Sequence, residues 1–146
     1  MSDSVLPQSL AEIRDEFLAL DEPERLQLLL EFSQELPPVP AEYDGHPELC
    51  ERVAECQSPV YIVVDVDADG IVAMHATAPP EAPTTRGFAS ILAQGITGLT
   101  ADAVLAIPDD FPQSIGLTRA VSPLRIAGMT GMLLRAKRQV RQKRAA

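Results

Sequence analysis

Apolar positions recur along this chain with two different periods, and the change from one to the other sets an extended middle between helical ends. Leu10, Ile13, Phe17 and Leu18 form an apolar face near the start. The stretch DEPER then restarts a helix: Asp21 is placed to cap it, Pro23 falls in its first turn, and Glu24 completes a capping-box spacing. This second helix runs through RLQLLLEFSQEL, with Leu26, Leu29, Leu30 and Leu36 expected on its buried side. It must stop at Pro37, Pro38 and Pro40, which have no N–H to continue the ladder. From there to Cys56 the pattern predicts a surface loop. VYIVVDVD and IVAMHAT follow, β-branched and apolar, and DADG between them signals a hairpin turn.

Helical spacing returns in PTTRGFASILAQGITGL, where Phe88, Ile91, Leu92 and Ile96 share a face and Thr84 or Thr85 is expected as cap. Thr100 is placed to cap a short helix through ADAVLAI. In SPLRIAGMTGMLLRAKRQVRQK, Ser122 reads as an N-cap and Pro123 as the first helical residue. Ile126, Met129, Leu133, Ala136 and Val140 then step by three and four, which predicts an amphipathic helix docked on the core, with its methionines as packing residues. The elements together indicate an α+β fold with a small antiparallel sheet flanked by helices. Two strands are clear; a third would have to come from a short segment near Cys56 or after Thr77.

With 146 residues and 46% hydrophobic content, the chain is expected to be one domain over 1–146, its core at about 10–138 and a basic C-terminal tail at 135–146. It contains no run of 18 or more apolar residues, and its first residues have neither a basic nor an apolar leader pattern, so a soluble, cytoplasmic protein without a membrane partner is expected. The net charge of −9 is unevenly spread: all 21 acidic residues lie at or before Asp110, and eight of the 12 basic residues lie after it. An acidic body repels phosphates, and basic residues near a helix C-terminus favour its macrodipole, so nucleic acid is not expected as a partner.

Several chemistries fail on spacing. DVDADG starts like a calcium loop with Asp65, Asp67, Asp69 and Gly70, but the twelfth position is Ala76, where a bidentate Glu is needed. His46, Cys50 and Cys56, with His75 or an aspartate as an assumed fourth ligand, do not have the paired spacing of structural zinc sites, so no metal is assigned. No G-x-S-x-G nucleophile motif is present. Two cysteines are too few for a disulfide framework, and in a reducing compartment both are free thiols unless they do chemistry.

Cys56 is the candidate nucleophile. Its polar neighbours Glu55, Gln57 and Ser58 and the turn-forming Pro59 oppose simple burial, and it lies on a loop anchored by the strand that follows. Only the thiolate is nucleophilic. Glu51 and Glu55 disfavour it; Arg52, an arginine brought in by the fold, or the N–H groups of Gln57 and Ser58 would favour it. The residues leave that balance open.

ECQSPVYIVV, TTRGFASIL and SPLRIAGMTGML, in this order and spacing, resemble the SufE family of sulfur-acceptor proteins for iron–sulfur cluster assembly, as does the leucine-rich helix with its proline break. The resemblance runs from about Leu10 to Arg138 and is nearest the actinobacterial branch. It places Cys56 at the family's C-Q-S cysteine, the acceptor of persulfide sulfur. Gln57 and Ser58 complete that motif, Arg125 falls at the arginine of S-P-x-R, and Arg86-Gly87 at the basic-residue–glycine pair. The segment APTT departs from the acidic one often found before that pair, which bears on partner recognition there. Cys50 matches no position of the pattern.

The resemblance implies a compact fold similar to IscU-type scaffold proteins, and a carrier and activator in place of an enzyme. It implies no cofactor, a pyridoxal-phosphate-dependent, SufS-like cysteine desulfurase as sulfur donor, and a SufBCD-like scaffold as recipient. A persulfide needs shielding from oxidants and stray thiols, so Cys56 is expected to be partly or largely covered. Two other readings remain: a thiol–disulfide redox protein using Cys50 and Cys56, and a non-catalytic adaptor docking through its basic C-terminal helix.

Overall fold

The structure, a computed structural model, describes residues 6–144. Its elements are α1 (Gln8–Leu18), α2 (Glu22–Gln34), β1 (Glu51–Arg52), β2 (Tyr61–Val66), β3 (Val72–Thr77), α3 (Pro83–Ile96), α4 (Ala101–Leu105) and α5 (Pro123–Arg144). The expected α+β class holds, with one antiparallel sheet in the order β1-β2-β3. The third strand is β1, two residues just ahead of the cysteine loop, where Glu51 pairs with Ile62 and Arg52 with Tyr61. Among the described residues no helix is long and apolar enough to cross a membrane.

The hairpin turns where the DADG signal lies. Asp67 is consumed by it, its Oδ1 accepting the Asp69 and Ile71 N–H groups at 2.9 Å each. Among the described residues no group of three or more His, Cys, Asp and Glu could hold a metal.

Strand alternation gives the sheet two unlike faces. Ile62 opposite Ala76 and Val64 opposite Met74 point into a single buried cluster that also takes Phe17, Phe88, Ile91 and Met129. On the other face Tyr61 lies opposite Thr77 and Val63 opposite His75. Against the sheet lie α3, next to β3, and α5, next to β2; α3 in turn carries α1 and α2.

Asp21 caps α2 by accepting the Glu24 N–H at 3.2 Å, Thr100 caps α4 by accepting the Ala103 N–H at 3.2 Å, and Ser122 accepts the Arg125 N–H at 3.4 Å at the start of α5. Ile126, Met129, Leu133, Ala136 and Val140 are all buried, as the stripe predicts. Three expectations need correction. Leu26 and Leu30 are 36% and 39% exposed, and Leu29, Phe32 and Ser33 carry the buried side of α2. The cause is its close approach to α3: a Cβ on Gly87 would lie 2.6 Å from the Leu29 carbonyl oxygen, and this contact sets which way α2 is turned. Leu18 is likewise exposed. Finally, α3 is capped by neither Thr84 nor Thr85; it starts at Pro83, whose ring presets the helical φ, after Ala82.

The basic stretch expected as a tail from 135 onward is helical to Arg144, while 145–146 lie outside the described residues. Its charges meet the acidic body. Lys137 is buried, its Nζ donating to the Ile107 carbonyl at 2.7 Å and to Asp109 at 2.6 Å. Arg144 pairs with Asp102 at 2.7 Å, Arg138 with Glu51, and Lys143 donates to the Val64 carbonyl.

Candidate functional site

Cys56 lies in the loop between β1 and β2. Val53 and Val60, both fully buried, close that loop through a Val53 N–H to Val60 carbonyl bond of 2.9 Å. Inside it, the Cys56 N–H donates to the Val53 carbonyl at 3.1 Å, a tight turn that brings the side chain back toward the body. There it meets α5 at Gly128, where an added Cβ would lie 2.9 Å from the sulfur. Glu55 occupies the neighbouring seat at Gly131, where an added Cβ would lie 2.7 Å from its carboxyl carbon. The two glycines of IAGMTGML, three apart on one helix face, therefore form a shallow trough for the cysteine loop. Cys56 is 8% exposed, in line with the shielding a persulfide needs.

The sulfur faces a cleft of about 530 Å³ between the loop and the first turns of α3 and α5. Gln57 and Ser58 line it from the loop, Thr84 and Thr85 from α3, and Arg125 from α5. Both helices present their N-terminal ends to it, where unpaired N–H groups and the positive end of the macrodipole favour an anion, against the carboxylates of Glu55 and Glu81, which also line it. Leu124, 52% exposed, adds an apolar rim.

The charge balance left open by the residues resolves against the thiolate. Burial pushes the Cys56 thiol above its ordinary value and Glu55 adds to the rise, while Arg135 and Arg52 pull the other way without reversing it. Arg135 is thus the arginine brought in by the fold. It pairs with Glu55 at 2.6 Å and with Glu51 at 3.4 Å, and donates to the Gly131 carbonyl at 3.2 Å. Burial would raise Glu51 too, but hydrogen bonds from Arg138 and Gln139 and the charges of Arg138 and Arg135 hold it below the usual carboxylate range. Gln139 joins the helix to the sheet as well, its Oε1 accepting the Val64 N–H at 2.8 Å.

Of the expected site residues, Cys56, Gln57, Ser58 and Arg125 come together at the cleft. Arg86 does not join them. Its guanidinium donates to the Ser33 carbonyl at 2.8 Å and the Ala78 carbonyl at 2.5 Å, tying the end of α2 and the exit of β3 to α3. With Gly87 beside it, the pair makes a helix-packing joint. Gly128, Gly131 and Arg135 were not singled out from the residues; the two small residues in IAGMTGML at a spacing of three were the signal available.

Cys50 occupies different surroundings. It follows the 3-10 turn Pro47–Leu49 and lines a hollow of about 300 Å³ with Tyr43, His46, Tyr61 and Thr77, on the sheet face that carries Tyr61 and Thr77. Burial and Glu48 raise its pKa, Asp65 adds to this, and Lys143 opposes it. Nearby, the Tyr43 hydroxyl donates to Asp65 at 2.7 Å and His75 lies 3.4 Å from the same carboxylate. Both cysteines are free thiols, and they open on separate hollows.

Comparison with known proteins decides the family. The sequence model of the SufE family, described as an Fe-S metabolism associated domain, matches residues 11–140. The chain belongs to the SufE family. SufE-like proteins from two strains of Mycobacterium tuberculosis, themselves described as uncharacterized, are 46% identical over 94% of this chain and 94% of their own. They agree with the actinobacterial character of the sequence. A chloroplastic/mitochondrial SufE-like protein of Arabidopsis thaliana is 28% identical over 88% of this chain, which spans 33% of that longer protein. The solution structure of a hypothetical protein from Thermus thermophilus superposes with a TM-score of 0.84 at 35% identity, covering 97% of this chain and 99% of that one. SufE membership gives the chain a part in iron–sulfur metabolism and sulfur transfer.

Proposed function

We propose that Cys56 is a sulfur acceptor: it takes sulfane sulfur from the persulfide of a pyridoxal-phosphate-dependent cysteine desulfurase, thereby speeds that enzyme, and passes the sulfur to an iron–sulfur scaffold of the SufBCD kind. The observation that carries this reading is the setting of the thiol. Cys56 is covered by one helix, held on a loop with few ties to the body, and turned toward a cleft lined by Arg125 and two helix N-termini. A buried structural cysteine has no use for such a cleft.

The transfer is a thiol exchange without net oxidation. The Cys56 thiolate attacks the outer sulfur of the donor persulfide, one S–S bond forms as the donor S–S bond breaks, and the donor cysteine leaves as a thiolate. The proton lost by Cys56 goes to solvent or to that leaving group. Because the resting thiol is held protonated by its burial, attack requires the loop to move toward the incoming sulfur. The cleft's N–H groups and Arg125 then meet the anion. The protein acts in this cycle as a co-substrate without a cofactor of its own, in a reducing cytoplasm where both thiols stay free.

The rival readings have less support. A dithiol switch would need Cys50 and Cys56 to meet, and they open on separate hollows. A basic adaptor helix would need free charge, and most of the cations of α5, namely Arg135, Lys137, Arg138, Lys143 and Arg144, are engaged within the fold, which leaves Arg125 and Arg141. The test is intact-mass spectrometry after incubation with a SufS-type desulfurase and cysteine. Wild type should gain one sulfur, about 32 Da, and Cys56→Ser none. Unmodified wild type beside an active desulfurase would refute the acceptor reading.

A further inference from the structure

The cysteine loop is tied to the rest of the molecule at few points. Apart from its closure at Val53 and Val60 and the inner Cys56 to Val53 turn, its one ion pair with another element among the described residues is Glu55 to Arg135 at 2.6 Å. Arg135 is held by a 3.4 Å ion pair from its Nε to Glu51 and by a terminal nitrogen that donates to the Gly131 carbonyl, although the Nε is buried without a hydrogen-bond partner. Glu51, a β1 residue, is in turn gripped by Arg138 and Gln139. One end of this chain of contacts belongs to the sheet and α5, and the other belongs to the residue next to Cys56.

We infer that Arg135 is a positioning residue that latches the cysteine loop shut, and that release of Glu55 from Arg135 is the step that exposes Cys56. Beyond the packing of Cys56 against Gly128, this pair is the one ion-pair clasp on the loop among the described residues. The carboxylate of Glu55 sits directly above Gly131, so the pair and the trough close together: a Cβ at 131 would lie 2.7 Å from the Glu55 carboxyl carbon and 3.0 Å from the Arg135 terminal nitrogen, and would disturb the pair from both sides. Since the pair is partly exposed, at 18% for Arg135 and 41% for Glu55, it is a weak clasp that a partner's charged group can undo. The inference rests on the acceptor reading only for its purpose; the latch can be measured without any desulfurase.

The measurement is the alkylation rate of Cys56 by iodoacetamide across pH, assigned to Cys56 and Cys50 separately by peptide mapping. The rate at high pH, where the thiol is fully ionised, reports access to the sulfur, and the midpoint reports its charge environment. Glu55→Gln, Arg135→Gln and Gly131→Ala should each raise the high-pH rate at Cys56 by roughly fivefold, the scale of one partly screened ion pair, and leave Cys50 unchanged. Gly131→Ala does so with no change of charge and with a good helix former in place of glycine. The Glu55→Gln midpoint should lie below the Arg135→Gln midpoint, because the two changes remove opposite charges from the thiol. The double variant Glu55→Gln with Arg135→Gln should open the loop no further than either single change, since both break one contact.

An unchanged high-pH rate in the single variants, additive effects in the double, or parallel acceleration of Cys50 would overturn the latch. Sulfur loading separates the two ideas. Loaded Cys56 with an unmoved alkylation rate sinks the latch alone, and a risen rate with no loading in any variant sinks the acceptor reading alone.

Discussion

The two cysteines lie six positions apart in sequence and on opposite sides of a three-stranded sheet, and both thiols are pushed upward by burial. Resting ionisation therefore does not distinguish them. Their attachment does. Cys50 is set between a 3-10 turn and β1, beside a cluster in which Tyr43 and His75 share Asp65. Cys56 lies on a loop seated on two glycines and facing a cleft. A thiol that is inert at rest can still react if the element that carries it moves, and Cys56, the proposed acceptor, is carried on a loop that faces the larger of the two hollows.

The largest effect that can break this contrast is on sulfur acceptance and desulfurase stimulation. Cys56→Ser should abolish both, while Cys50→Ser should stay within about twofold of wild type. Equal loss in the two variants, read in a desulfurase turnover assay, would remove the distinction and favour a dithiol pair.

Next in size is the seat itself. Gly128→Ala places a methyl group 2.9 Å from the sulfur, too close to be absorbed without displacing Cys56, since a well-packed site resists even one added carbon. Alkylation of Cys56 should accelerate by about tenfold and that of Cys50 should not change. Equal rates in variant and wild type would mean that the trough does not hold the loop.

How much of this was legible depends on the range of the interaction. The hairpin, the caps at Asp21, Thr100 and Ser122, and the stripe from Ile126 to Val140 are written within a few residues and were read correctly. The position of Cys56 followed from its motif. Contacts between distant segments were not readable in this way. Leu26 and Leu30 have the same character as Leu29, and only the approach of Gly87 decides which of them is buried. β1 is two residues long and has no period to detect. The excess of basic residues late in the chain was visible, but their pairing with Glu51, Glu55, Asp102 and Asp109 within the same molecule was not. Arg86 was recognised as a motif residue, yet its role as a clamp on two carbonyls needed the fold.

A smaller effect tests the Cys50 side. Tyr43→Phe removes the 2.7 Å hydrogen bond to Asp65 and nothing else of size. It should cost about 1 kcal/mol, seen as a fall of about 3 °C in Tm, with sulfur loading of Cys56 unaltered. A loading defect in this variant would connect the two faces of the sheet and weaken the separation drawn between them.

The smallest expected effect is on alkaline stability. Burial, and then Glu55, raise the folded pKa of Cys56 above that of an exposed thiol, so the fold favours its protonated form. That preference contributes stability which is fully present below the unfolded pKa and is lost as pH rises through the raised folded one. Cys50 and Tyr43, whose pKa is raised chiefly by its bond to Asp65 and then by burial, act in the same direction, Tyr43 at higher pH. Denaturant midpoints followed from about pH 7 to pH 10 should therefore decline at the alkaline end in wild type. Cys56→Ala should flatten the decline more than Cys50→Ala, because the Cys56 thiolate would form inside the core cluster while Cys50 borders a more open hollow. The reverse order would mean that the cysteine loop opens readily enough in the free protein to let the Cys56 thiolate form in water, and the latch at Arg135 would then be too weak to matter.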